Sequence, residues 1–266
     1  MIRGNALITG ASRGIGAATA VRLAELGAGT IVVHHRNSPE AAEHTADAVR
    51  RAGAEAVCVA ADLEDADAVK QMFVRIGRDL GSLDILVANA AASSFKPLLD
   101  THDENIRRTS RITINALLQC VREMTSLADA GGSVVVVSGI DASEAMVGHG
   151  LLGSMKAAAE TLSMYLASEL GPRGFRVNAV RPGLILTDSS RTYSERVFGD
   201  SAEFERVLVS LTPSRRAGTP KDIANVIGFL CSEEGSWING QVLVADGGLS
   251  TVSPTEMIAI GRHGDR

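Results

Sequence analysis

Short apolar runs alternate with longer amphipathic stretches along the whole sequence. The runs ALIT (6–9), TIVVHH (30–35), EAVCVAA (55–61), DILVANA (84–90), SVVVVS (133–138), FRVNAV (175–180) and QVLVAD (241–246) are apolar almost throughout rather than alternating. Strands of that kind suit a parallel sheet covered on both faces. Between them, segments 15–26, 39–52, 65–79, 103–129, 150–170 and 220–232 carry helical spacing. Strand–helix alternation with short connections predicts a single α/β domain over 1–250, a doubly wound parallel sheet of about seven strands with helices on both faces. Residues 184–219 break the rhythm. A long connection rich in Ser, Arg and Glu after the sixth strand is a candidate lid over a ligand. The tail 251–266 has no clear role, and its last six residues read as disordered.

Composition narrows the function classes. The 266 residues carry a formal net charge of −5, which gives no global attraction for nucleic acid or an anionic membrane. Aromatics make up 3%, so packing relies on Ala, Val, Leu and Ile. Cys58, Cys120 and Cys231 are far apart and show no metal-ligand spacing, which argues against a disulfide framework and for a reducing compartment. The start MIRGNALITG has neither a signal-peptide pattern nor a membrane span. A cytoplasmic, metal-free protein is expected.

The first strand runs into Thr9-Gly10-Ala11-Ser12-Arg13-Gly14-Ile15-Gly16 and then a helix. Glycines there let the backbone turn tightly against a pyrophosphate, and the helix N-terminus offers free N–H groups and a favourable dipole. The spacing, G-x3-G-x-G, is wider than G-x-G-x-x-G. A carboxylate at the end of the second strand would bind the ribose 2′-hydroxyl of NAD, but the chain offers His34, His35, Arg36, Asn37 and Ser38. Arg36, with Arg13 from the glycine turn, matches a 2′-phosphate, so NADPH is the expected cofactor.

TGASRGIG, Asp62-Leu63, VANAA (87–91), Arg181-Pro182-Gly183 to Thr187, and Val244-Ala245-Asp246-Gly247-Gly248 together resemble the short-chain dehydrogenase/reductase family. Its fold is of the Rossmann type, and the likeness runs from Ala6 to Gly248. The resemblance implies that Gly10, Ser12, Arg13, Gly14, Ile15 and Gly16 cradle the phosphates. It places Asp62 and Leu63 at the adenine and Asn89 and Ala90 on the adenosine side. Pro182, Gly183, Ile185 and Thr187 would meet the nicotinamide.

The catalytic pattern departs from that family. Members use Tyr-x-x-x-Lys, a Ser about thirteen positions before the Tyr, and an upstream Asn. Lys156 is present, but Leu152 stands at the Tyr position, Gly139 at the Ser position and Thr113 near the Asn position, with Asn115 two further on. Leucine cannot donate a proton. Enoyl-thioester reductases of the superfamily use Tyr-x6-Lys, and the x6 position here is His149. NAAASSFKPLLD, ALLQC and VNAVRPGLILTD also look similar to bacterial enoyl-acyl-carrier-protein reductases. A histidine near neutral pKa suits an enolate oxygen; a histidine at a Gly-flanked turn also suits no chemistry at all. Ser138 ends a strand and either donates to a substrate oxygen or serves the local backbone. Tyr193 in the lid either closes over substrate or only packs, and Tyr165 reads as helix packing or interface. Lys156 counts first as a contact to the nicotinamide ribose, then as a catalyst.

The leading expectation is an NADPH-dependent reductase, with hydride going to a conjugated C=C or an activated C=O of an acyl- or polyketide-like small molecule, free or linked to an acyl carrier or CoA. Two others stand beside it: a non-catalytic NADPH-binding sensor or partner subunit, and a non-redox dehydratase or cyclase. The family resemblance also implies a homotetramer or dimer, built on the helices near 103–129 and 150–170 and on the last strand.

Overall fold

The centre of the sheet is assembled from strands too apolar to face water. β1 (Ala6–Ile8) is wholly buried, and its alternate residues divide between two cores. The computed structural model describes residues 1–92, 94–128 and 131–253, so the disorder expected of the last six residues lies outside them. The seven strands are β1, β2 (Thr30–His35), β3 (Glu55–Ala60), β4 (Ile85–Ala88), β5 (Gly132–Val137), β6 (Phe175–Pro182) and β7 (Val242–Ala245). They pair in parallel in the order β3-β2-β1-β4-β5-β6-β7. The chain reverses direction across the sheet between β1 and β4, and the crevice at such a switch point is where open α/β sheets bind ligands.

Ile8, Val33 and Val87 face the side covered by α1 (Gly14–Glu25), α2 (Pro39–Arg51) and α9 (Pro220–Cys231). Leu7, Val32 and Leu86 face α3 (Ala66–Leu80), α5 (Ala116–Leu127) and α6 (Gly150–Leu170). With both faces covered, a strand has no polar side to show, which accounts for the unbroken apolar runs.

The structure differs from the helical pattern in two places. The segment expected as one helix over 103–129 divides into α4 (Asp103–Ser110), a π-helical turn (Arg111–Asn115) and α5. The presumed lid is not a loose connection. It forms α7 (Asp188–Phe198) and α8 (Ser201–Leu211), started by the side chains of Thr187 and Asp200, which accept from the backbone N–H groups of Ser190, and of Ala202 and Glu203. Trp237, just before β7, is 98% exposed.

Candidate active site

The turn after β1 is held from three sides. Asn89, after β4, donates its amide to the carbonyls of Thr9 (3.0 Å) and Gly10 (3.1 Å). The Thr9 hydroxyl accepts from the N–H groups of Asn89 and Ala90. His34 is buried in β2; its Nδ1 accepts from Gly10 N–H at 3.0 Å, and its Nε2 donates to Ala61 O at 3.1 Å. Burial pushes this imidazole down to about 4, so the neutral form serves as a strut between turn and sheet. Gly14 has φ +60, and a side chain on Gly16 would collide with the Gly10 carbonyl. α1 begins at Gly14 with no side-chain cap and no acid in its first turn, leaving its N–H groups for an anion.

Beside the turn lies a cleft of about 450 Å³, a size that takes a small-molecule cofactor. Gly10, Ser12, Arg13, Gly14, Ile15 and Arg36 line it, as do Asp62, Leu63, Asn89, Ala90 and Thr187. Arg108 of α4 lines it too, unforeseen from the sequence, and shares Glu64 with Arg36 (2.9 and 3.9 Å). Gly16 acts from behind, through the close approach just described. Gly183 acts through backbone contact, since a Cβ there would stand 2.6 Å from that of Asp246. Pro182 closes β6 beside Ala245. Ile185 is buried, bridges Gly218 and lines a neighbouring cavity of about 310 Å³.

Lys156 of α6 is buried, donates to the Val137 carbonyl, and is pushed by burial down to about 8, with the Asp141 and Glu160 carboxylates opposing the shift. It borders a cavity of about 20 Å³ beneath the cleft, room for one water, which Thr113 also lines. The Thr113 hydroxyl is buried and makes no hydrogen bond among the described residues, whereas Asn115 accepts from Ser110. The Ser138 hydroxyl donates to Glu160 Oε1 at 2.6 Å, beside the ion pair in which Arg181 holds both Glu160 oxygens (2.9 and 2.5 Å).

His149 sits at the N-terminus of α6, its Nδ1 2.9 Å from Asp141 Oδ2. The ring stacks on Phe95 (5.1 Å) and meets Tyr193 edge-on (4.2 Å). Tyr193 is buried and donates to Val147 O, and Phe198 and Phe204 extend the aromatic cluster across the two lid helices. Tyr165 lies elsewhere, 59% exposed on α6. Asp141, like Arg108, is a residue the sequence motifs do not point to. Its only sequence signal is an acid two positions beyond Gly139.

The family profile described as Enoyl-(Acyl carrier protein) reductase matches residues 10–250. The chain belongs to the short-chain dehydrogenase/reductase family. It is 38% identical to 1-cyclohexenylcarbonyl-CoA reductase of Streptomyces collinus over 248 residues, 93% of this chain and 87% of that one. It is 35% identical to versicolorin reductase of Emericella nidulans over 249 residues, covering 91% and 94%. A short-chain dehydrogenase of Burkholderia cenocepacia solved with NADP superposes with a TM-score of 0.84 at 32% identity, covering 92% and 97%. As a short-chain dehydrogenase/reductase the protein is an oxidoreductase, and the cleft fits that family's nicotinamide dinucleotide. Among the described residues no helix is long and apolar enough to cross a membrane.

Proposed function

We propose that the protein is an NADPH-dependent reductase acting on a conjugated C=C, or an activated C=O, of an acyl- or polyketide-like substrate, by a route that does not use the usual Tyr. The observation that carries this reading is the adenosine end of the cleft. Arg13 and Arg36 line it, and no carboxylate stands at the end of β2. Similarity to a CoA-thioester reductase and to the enoyl-reductase profile supports the thioester-type substrate.

When bound, the dinucleotide supplies the hydride. The chain's own residues do the rest. The free N–H groups of α1 hold the pyrophosphate, and Arg13 and Arg36 hold the 2′-phosphate. Asp62, Leu63, Asn89 and Ala90 flank the adenosine, while Pro182, Gly183 and Thr187 border the nicotinamide. Lys156 reaches the ribose once it leaves the Val137 carbonyl, and its burial keeps it near a pH where it both holds and moves a proton. His149 faces the substrate oxygen in place of a phenol. The exposed Met164 and Tyr165 on α6 and Val244 on β7 suit self-association into a dimer or tetramer, and three free cysteines suit a cytoplasmic setting.

Titration of the purified protein with NADPH and NADH, read by nicotinamide fluorescence, tests the reading. At least tenfold tighter NADPH binding is expected, with NADPH oxidised stoichiometrically on addition of a 2-enoyl-CoA thioester. Equal affinity, or a preference for NADH, overturns the cofactor choice. Absence of binding by either overturns the reductase itself. Binding with no oxidation on any enone, enoyl thioester or ketone favours non-redox chemistry.

A further inference from the structure

We infer that Asp141 and His149 form one acid–base unit, in which Asp141 positions the ring and His149 Nε2 gives the reaction its proton; this rests on the reductase reading above. Three observations meet at this pair. The Nδ1–Oδ2 separation is 2.9 Å, with the side chains 14% and 7% exposed. A hydrogen bond at Nδ1 fixes the tautomer and frees Nε2. Nε2 itself is buried and has no hydrogen-bond partner among the described residues. Such an atom is rare in a folded protein, and in the protonated ring it would donate to a substrate oxygen.

The surroundings are shaped to hold the pair. A side chain on Gly139 would collide with Asp141 Oδ1, and one on Gly153 with the Asp141 carbonyl. Phe95 stacks on the ring and Tyr193 meets it edge-on, the two aromatics also touching each other at 5.4 Å. Besides His149, the titratable Lys156 of α6 and Tyr193 of α7 feel the charge of Asp141. The bare Gly139 and the Asp141–His149 pair are therefore one change and not two, because the carboxylate fills the space a Ser side chain would take.

With a reduced nicotinamide bound as hydride donor, the substrate's β-carbon would gain the hydride and the C=C electron pair would move to the carbonyl oxygen. The Nε2–H bond of the imidazolium breaks, its proton goes to the enolate, and a neutral ring remains with Nδ1–H on Asp141. The substrate gains two electrons and two hydrogens, and the cofactor is oxidised by the same amount.

The first test needs no turnover. Long-range ¹H–¹⁵N spectra of the cofactor-free protein at pH 8, assigned with His149→Phe, should show His149 as a single Nδ1–H tautomer that becomes a mixture in Asp141→Asn. An Nε2–H tautomer in the wild type, or a spectrum indifferent to Asp141→Asn, overturns the pair. His149→Phe keeps the ring packing, and thermal melts confirm folding. With a 2-enoyl thioester, His149→Phe should lower kcat about a hundredfold and Asp141→Asn about tenfold, with KM and NADPH affinity little changed. The double variant should be no worse than His149→Phe. Additive losses, or losses in KM alone, reduce Asp141 to a structural role and overturn the proposal. A wild type that binds NADPH but turns over nothing overturns the reductase reading instead, and the spectra then decide the pair by themselves.

Discussion

His34 ties the stability of the phosphate-binding turn to pH. Its ring bridges Gly10 N–H and the Ala61 carbonyl only when neutral, because a proton on Nδ1 would face the Gly10 N–H. Burial lowers its pKa from 6.5 to about 4. The unfolded chain therefore takes up this proton first as pH falls. Stability is full above about pH 6.5, declines through the interval, and levels off below about 4. At about 1.4 kcal/mol per pH unit the whole interval is worth ~3 kcal/mol, of which about 2 kcal/mol is lost between pH 7 and pH 5. Urea unfolding followed by circular dichroism, at those two pH values, measures it on wild type and His34→Asn. Burial also lowers the His35 pKa, but that residue is present in both proteins and cancels. The wild type should lose about 2 kcal/mol more than the variant. Equal losses would refute the reasoning, since His34 would then titrate alike in the folded and unfolded chains.

Other consequences are as direct. Gly16→Ala forces the turn open against the Gly10 carbonyl, so dinucleotide binding should vanish by calorimetry while far-UV dichroism is retained. Arg36→Ala removes a charged phosphate contact worth roughly 1.5–3 kcal/mol, so NADPH affinity should fall about ten- to a hundredfold with NADH affinity unchanged. Glu160→Gln leaves Arg181 partly buried beside a neutral group and should cost about 3 kcal/mol in denaturant unfolding. Leu152→Tyr with Gly139→Ser, which restores the family pattern on paper, should not restore ketone reduction in an NADPH-oxidation assay, because a side chain added at Gly139 displaces the Asp141 carboxylate.

The sheet, its strand boundaries and the glycine turn were legible because each obeys a local rule: an apolar run buried on both faces, or a glycine where a Cβ has no room. The residues expected at the cofactor come from short motifs fixed to strand ends, and Gly10, Ser12, Arg13, Arg36, Asp62 and Asn89 line one cleft. What the motifs did not show has a different physical origin. Ser138 ends its strand as read, but whether its hydroxyl meets substrate or Glu160 depends on a helix twenty-two residues away. Ile185 sits in the right motif yet packs on Gly218, a contact across the lid. The π-helical turn inserts itself into a helix whose apolar spacing gives no warning of it. Asp141 carries no pattern; only folding sets it beside His149.

The exposure of Trp237 decides how the molecule is seen by fluorescence. It is the single tryptophan of the chain, and almost none of it is covered by its own fold. Its emission in the isolated chain is therefore already that of a water-exposed indole, and unfolding changes its surroundings little. An ultraviolet melt read at this residue would understate cooperativity that dichroism reports in full. The same isolation makes it a clean optical label for neighbours. A blue shift that grows with protein concentration would report another copy closing over the region before β7, with no background from the interior.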